Sequence, residues 1–171
     1  MSLKSVRAGT PYLAKRDTGV QSANDEDPYR AASKPPEPTT CPQCRASFMD
    51  GRWTWAKPAA NDDAAEMLCP ACQRIRDKFP AGYVTIKGEF FKQHKDEIVA
   101  LLHNHEKKEK AERPLQRIMG MDEKKDGTLE VTTTDSTLAR GLGEALHDAY
   151  KGDLKVRYSR DENLVRAVWK R

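Results

Sequence analysis

Cys41-Pro42-Gln43-Cys44 and Cys69-Pro70-Ala71-Cys72 contain all four cysteines of this 171-residue chain, with 24 residues between the two pairs. Two thiolates separated by two residues can wrap one side of a tetrahedral ion, and two such turns close a four-sulfur shell. A closed shell leaves no position for water or substrate, so the expected role is a structural zinc that staples a small fold. Rubredoxin-type iron or an iron–sulfur cluster is the alternative for the same ligands. Two disulfides would need an oxidising compartment. The N-terminus carries no apolar signal core, so a cytoplasmic location is expected. The four expected ligands are therefore Cys41, Cys44, Cys69 and Cys72.

Between the pairs, Trp53 and Trp55 alternate around Thr54, the pattern of a short strand in a ribbon. Residues 41–80 are the expected zinc module. It is too small to fold on its own core, so metal binding supplies much of its folding energy. Gln73 to Phe79 predicts a short helix ended before Pro80.

Residues 1–40 show little hydrophobic periodicity. Asn24-Asp25-Glu26-Asp27-Pro28 and Lys34-Pro35-Pro36-Glu37-Pro38-Thr39-Thr40 read as a solvated linker, and the whole segment as a disordered tail. Its functional alternative is a segment that orders on a partner.

Residues 82–171 predict a single α+β unit. Tyr83 to Gly88 alternates as a strand, and Phe90 to about Glu112 has the stripe of one long helix. Leu115 to Met121 and Leu129 to Thr133 read as two strands joined by the turn Lys124-Lys125-Asp126-Gly127. Leu138, Leu142, Ala145, Leu146 and Ala149 recur at helical spacing, with Asp135 or Ser136 as the cap. Leu154 to Tyr158 and Leu164 to Lys170 complete a β-α-β-β-α-β-β order, the ferredoxin-like pattern plus one strand. A sheet of this type often leaves one face uncovered by helices.

The mean hydropathy of −0.83 is low for a globular chain, and the net charge is +4. Residues 1–40, 41–80, 81–126 and 127–171 each carry one more positive than negative charge, so no segment is a basic arm. A nucleic-acid case must rest on where the charges point. Lys155 and Arg157 share one side of their strand; Arg166 and Lys170 share a side of the next. With Lys87 they are expected to reach phosphates, although Lys and Arg also protect sheet edges from pairing. Arg45, Arg74 and Arg76 around the zinc module form a second expected RNA surface.

No phosphate-binding glycine loop or nucleophile elbow occurs, and no acid–base pair stands out. Thr132-Thr133-Thr134-Asp135-Ser136 reads as a strand end followed by a cap rather than an anion site. No apolar run approaches the roughly 20 residues of a membrane span.

The two Cys-Pro-x-Cys turns, the Trp-containing spacer and Tyr83-Val84-Thr85-Ile86-Lys87-Gly88-Glu89-Phe90 resemble a family of small bacterial zinc proteins. That family is similar to the N-terminal part of the archaeal and eukaryotic adapter that accompanies large ribosomal subunits out of the nucleus. Leu129 to Arg140 resembles the adapter's strand-then-helix segment. The adapter's second pair of zinc knuckles has no counterpart in these residues. The resemblance implies contact with ribosomal RNA and translation-linked work. The expected function is to bind the ribosome or ribosomal RNA, as a stress, hibernation or assembly factor, without catalysis and without a small-molecule substrate. A protein-binding adapter, for example on RNA polymerase, is the alternative, and a nucleotide-binding enzyme a more distant one.

Overall fold

The structure is a computed structural model and describes residues 27–29, 33–159 and 163–171. The tail expected over residues 1–26 and 30–32 lies outside the described residues. The chain builds an α+β molecule with two mixed sheets.

The smaller sheet holds β1 (Thr39–Thr40), β2 (Ser47–Met49), β3 (Arg52–Thr54) and β4 (Ala65–Glu66), in the order β3-β2-β1-β4. Its first strand lies inside the stretch expected to be linker. Thr39 is fully buried, pairs with Phe48 and Ala65, and donates its hydroxyl hydrogen to the Pro36 carbonyl at 2.6 Å. The metal module therefore begins before its first cysteine. Two β-branched residues found a pairing partner on either side, which the prolines around them had masked.

Helix α1 (Pro70–Asp77) starts earlier than the sequence suggests. Cys69 is its N-cap, with Sγ accepting from the Cys72 N–H at 3.4 Å, and Pro70 occupies the first helical position. A proline there costs no hydrogen bond, because that N–H has no helical partner in any case. The helix ends at Lys78 in a left-handed cap, and the Phe79 N–H returns to the Arg74 carbonyl at 3.0 Å.

The larger sheet contains β5 (Gly82–Lys87), β6 (Ile118–Glu123), β7 (Leu129–Thr133), β8 (Asp153–Ser159) and β9 (Leu164–Lys170). Its helices are α2 (Glu89–Gln93), α3 (Lys95–Glu112) and α4 (Ser136–Tyr150). The expected single helix after β5 is divided at His94, where α2 ends and α3 begins. The division seats Phe90 against Tyr150 and Trp169, with ring centroids 5.4 and 6.3 Å away. Strand β6 begins three residues after Leu115, because Leu115 is drawn onto the cysteine cluster.

The order of elements along the chain is as expected, but the order in the sheet is not a simple ferredoxin-like one. The sheet runs β6-β7-β5-β9-β8. The final strand inserts parallel to β5, and β8 is displaced to the edge. Composition explains the exchange. Strand β9 offers Leu164, Val165, Ala167, Val168 and Trp169, a nearly continuous apolar run suited to a central position beside a parallel neighbour. Strand β8 carries exposed Lys155, Arg157 and Tyr158, and charged side chains are tolerated at an edge.

Helices α3 and α4 cover one face. Val84, Ile86, Val131, Val165, Ala167 and Trp169 project from the sheet into a core shared with Phe91, Ile98, Leu102, Leu138, Leu142 and Leu146. Helix α4 approaches β5 closely at Gly82, where a Cβ would lie 2.3 Å from that of Ala139. The capping expectation for Thr132 to Ser136 matches the structure: Asp135 caps α4 by accepting from the Leu138 N–H at 2.9 Å.

Candidate metal centre and nucleic-acid interface

Each cysteine pair is set by a different local device. In the first, the Cys41 N–H donates to the Ala46 carbonyl at 2.8 Å and the Arg45 N–H to the Cys41 carbonyl at 2.9 Å. Arg45 closes this turn with a φ of 66°, a left-handed conformation. In the second, the cap of α1 is itself the knuckle. The four sulfurs converge to within 4.8 Å of one another, and those of Cys44 and Cys69 are 3.7 Å apart. A tetrahedral ion bound at about 2.3 Å sets its sulfurs about 3.8 Å apart, so this shell fits one metal ion. None of the four thiols is in a disulfide. Cys41, Cys69 and Cys72 are buried, and Trp53, Leu68 and Leu115 pack around them.

Arg117, just before β6, completes the site. Its Nη2 lies 3.1 Å from the Cys44 sulfur and 3.8 Å from that of Cys69, while Nη1 lies 3.3 Å from Cys72. Its Nε donates to the Pro114 carbonyl at 2.7 Å, so the fork is held in place. The side chain is buried, 5.8 Å from the centroid of the Trp55 ring, and Trp55 donates its indole N–H to the Lys110 carbonyl at 2.6 Å. The metal module is thus joined to the larger sheet's domain by a cation on its sulfurs and by an indole on α3.

The thiols have unequal surroundings. Burial pushes Cys69 well above the ordinary thiol range, and the other sulfurs add to that. Burial also raises Cys72, although the Arg117 guanidinium partly opposes it. At Cys41 burial is outweighed by the N–H groups of Cys44, Cys69 and Gln43, which bring it down to about 7. Burial disfavours the Arg117 charge, yet its hydrogen bonds to Cys44 and Cys72 outweigh that and raise its pKa.

The expected RNA residues divide into two groups. Lys87, Lys155, Arg157, Arg166 and Lys170 are all exposed, and the strand register puts them on the face away from α3 and α4. Lys87 is opposite Lys170, and Arg166 lies between Tyr83 and Arg157. The Arg166 guanidinium sits 4.6 Å over the Tyr83 ring centroid. The face is not uniformly basic: exposed Asp153 on β8 opposes Lys170, and on the other side Glu130 on β7 opposes Asp122 on β6. Around the metal module, Arg45 is exposed, and Arg76 is exposed but paired with Asp77 at 2.7 Å.

Arg74 departs from expectation. Its side chain is only 3% exposed and is bound to Asp27 at 2.7 Å, with the Tyr29 ring centroid 4.6 Å away. It anchors residues 27–29 to α1 and is not offered to a polyanion.

Two participants escaped the sequence reading. Nothing marks Arg117 among thirty Lys and Arg residues, because its role arises from a tertiary approach. Tyr83 was legible: it alternates with core residues Val84 and Ile86 and so belongs to the open face.

Among the described residues, no helix is long and apolar enough to cross a membrane. No family model matches the chain, and no curated protein or solved structure is significantly similar to it.

Proposed function

We propose that Cys41, Cys44, Cys69 and Cys72 hold one structural zinc ion, and that the protein binds RNA without catalysing a reaction. One observation carries this reading: five cations from three strands meet on a single exposed sheet face. Ribosomal RNA and the ribosome are the proposed partners on the strength of the resemblance to the export adapter, and the cytoplasm is then the place of action. The same all-sulfur shell would also hold rubredoxin-type iron; zinc is proposed because a closed four-cysteine shell is the usual structural zinc site. The metal acts at a distance from the RNA. It fixes the module, and Arg117 ties that module to the domain bearing the basic face.

A salt titration tests the RNA reading. Neutralising five phosphates of a single strand gives a slope of log affinity against log salt of about −3.5. Ribosome or ribosomal-RNA binding that ignores salt would remove phosphate contact as its basis. Metal analysis of the pure, reduced protein tests the zinc, with one ion per chain expected.

A second reading is favoured by Ile75 and Phe79, which are 36% and 50% exposed at the end of α1. They offer an apolar patch through which the metal module would grip another protein. Nuclease treatment of a pull-down separates the readings: partners lost point to RNA, partners kept point to protein.

A further inference from the structure

Resting on the RNA reading above, we infer that the basic half of the open sheet face is a site for single-stranded RNA, with an unpaired base stacked at Tyr83 and Arg166. Three observations lead there. The first is the ring. Tyr83 is the aromatic of the open face on the central strand β5, half-buried, with its ring covered by a guanidinium at 4.6 Å. Aromatic rings and guanidinium planes are the surfaces on which unpaired bases stack. A stacked base inside a duplex has neither face free.

The second is the arrangement of cations around that ring. Arg157 and Lys155 lie on β8, Arg166 and Lys170 on β9, and Lys87 on β5 beside Lys170, with one carboxylate among them, Asp153 of β8 opposite Lys170 at the end of the track away from Tyr83. Strands are about 4.8 Å apart and residues about 3.3 Å apart along a strand. The cations thus border a track about 10 Å across and about 13 Å long, the dimensions of a few nucleotides. A backbone over β8 and β9 leaves its bases directed at β5, where Tyr83 stands.

The third is the acidic border. Beyond β5 the face continues with Glu130 and Asp122. A duplex carries phosphates on two strands, and its second backbone would be brought over these carboxylates; among the described residues Glu130 has a lysine partner, Lys124, at 3.2 Å, and Asp122 has none. Like charges at short range are repelled, which favours one strand over two. Width, ring and charge gradient select the same ligand.

The test uses the full-length, zinc-loaded protein and fluorescence anisotropy at fixed salt. The probes are a labelled oligouridylate of about ten nucleotides, within the site size usual for single-strand binders, an abasic strand of the same length and a hairpin duplex with as many phosphates per strand. The expected order is oligouridylate tightest, with duplex and abasic strand each about ten-fold weaker. Tyr83→Leu should lose about ten-fold for oligouridylate and little for the abasic strand, while Tyr83→Phe stays within about two-fold, because one stacked base accounts for roughly that much. Should Tyr83→Leu unfold, the abasic comparison on the unaltered protein still decides. Equal affinity for abasic and base-bearing strands, or duplex binding as tight as single-strand binding, overturns the stacking site and leaves phosphate binding standing. Failure of every probe to bind overturns the RNA reading as well.

Discussion

Nη2 of Arg117 lies 3.1 Å from Sγ of Cys44, a contact between residues 73 positions apart that places a buried cation on a sulfur shell. Four thiolates around a divalent ion leave a net charge of about −2 in a largely buried place, and such charge is expensive without compensation. The guanidinium halves it and reaches three sulfurs at once.

Replacing Arg117 by Met should therefore weaken zinc binding about ten- to a hundred-fold, the range for removing a group that orients or stabilises metal ligands. Arg117→Lys should recover only part, because an ammonium lacks the planar fork that spans Cys44 and Cys72. Competition with a chromophoric chelator measures both. Unchanged affinity in the Met variant would show that the guanidinium is packing and not charge compensation.

Stripping the metal should release the module and spare the larger domain. The short strands β1 to β4 and the first turn of α1 have little core beyond the cysteine cluster, whereas β5, β7 and β9 share a separate one. Structural zinc contributes about 10–16 kcal/mol to such modules. Hydrogen exchange on the chelated protein should show the Cys41 and Cys72 amides losing protection while those of Val84 and Val131 keep theirs. Uniform loss across both regions would mean that the two parts fold as one unit.

Arg74 and Arg157 should separate stability from binding. Arg74→Gln leaves Asp27 with the Tyr29 N–H but without its guanidinium and should cost about 2 kcal/mol, seen in the melting temperature, with RNA affinity unchanged. Arg157→Gln should do the reverse, weakening RNA binding several-fold at constant melting temperature. An affinity loss for Arg74→Gln equal to that for Arg157→Gln would return Arg74 to the RNA surface.

Gly82 is held small by its neighbours. Gly82→Ala places a methyl 2.3 Å from the Ala139 Cβ and 2.6 Å from Thr133 Oγ1, so the strand or the helix must shift. A loss of about 1–3 kcal/mol is expected in chemical denaturation. Adding Ala139→Gly removes one of the two clashes, so the double variant should be more stable than the sum of the single effects implies. Strict additivity would mean that the strain is relieved elsewhere.

Much of the metal site was written in local spacing. A two-residue gap between cysteines is a property of a few consecutive bonds, so Cys41, Cys44, Cys69 and Cys72 could be paired from the chain alone. Strands β5, β7 and β9 and helix α4 were legible for the same reason, since their apolar periods are local. What depended on approach in space was not. The insertion of β9 between β5 and β8 follows its denser apolar run, a difference of degree from β8 that becomes decisive only once the two compete for the place beside β5. The burial of Arg74 depends on Asp27, and the division of the helix at His94 on where Phe90 finds Trp169. Arg117 had no distinguishing neighbour in sequence at all. The basic face lay between these cases: alternation assigned Lys155 with Arg157 and Arg166 with Lys170, but only the pairing of β8 with β9 made one surface of them.

The seat of β5 has a consequence for how the molecule comes into being. Strands β6 and β7 form one hairpin and β8 and β9 another, each from nearby residues, and β5 is what welds the two ribbons together. Both of its pairings bring together distant parts of the chain, which is the slower kind of event. Before it, the Tyr83 ring and the cations of β8 and β9 belong to separate pieces. A nascent or unravelled molecule can therefore carry four of the five cations on the β8–β9 ribbon alone, and the ring and Lys87 join them only when the keystone strand drops into place.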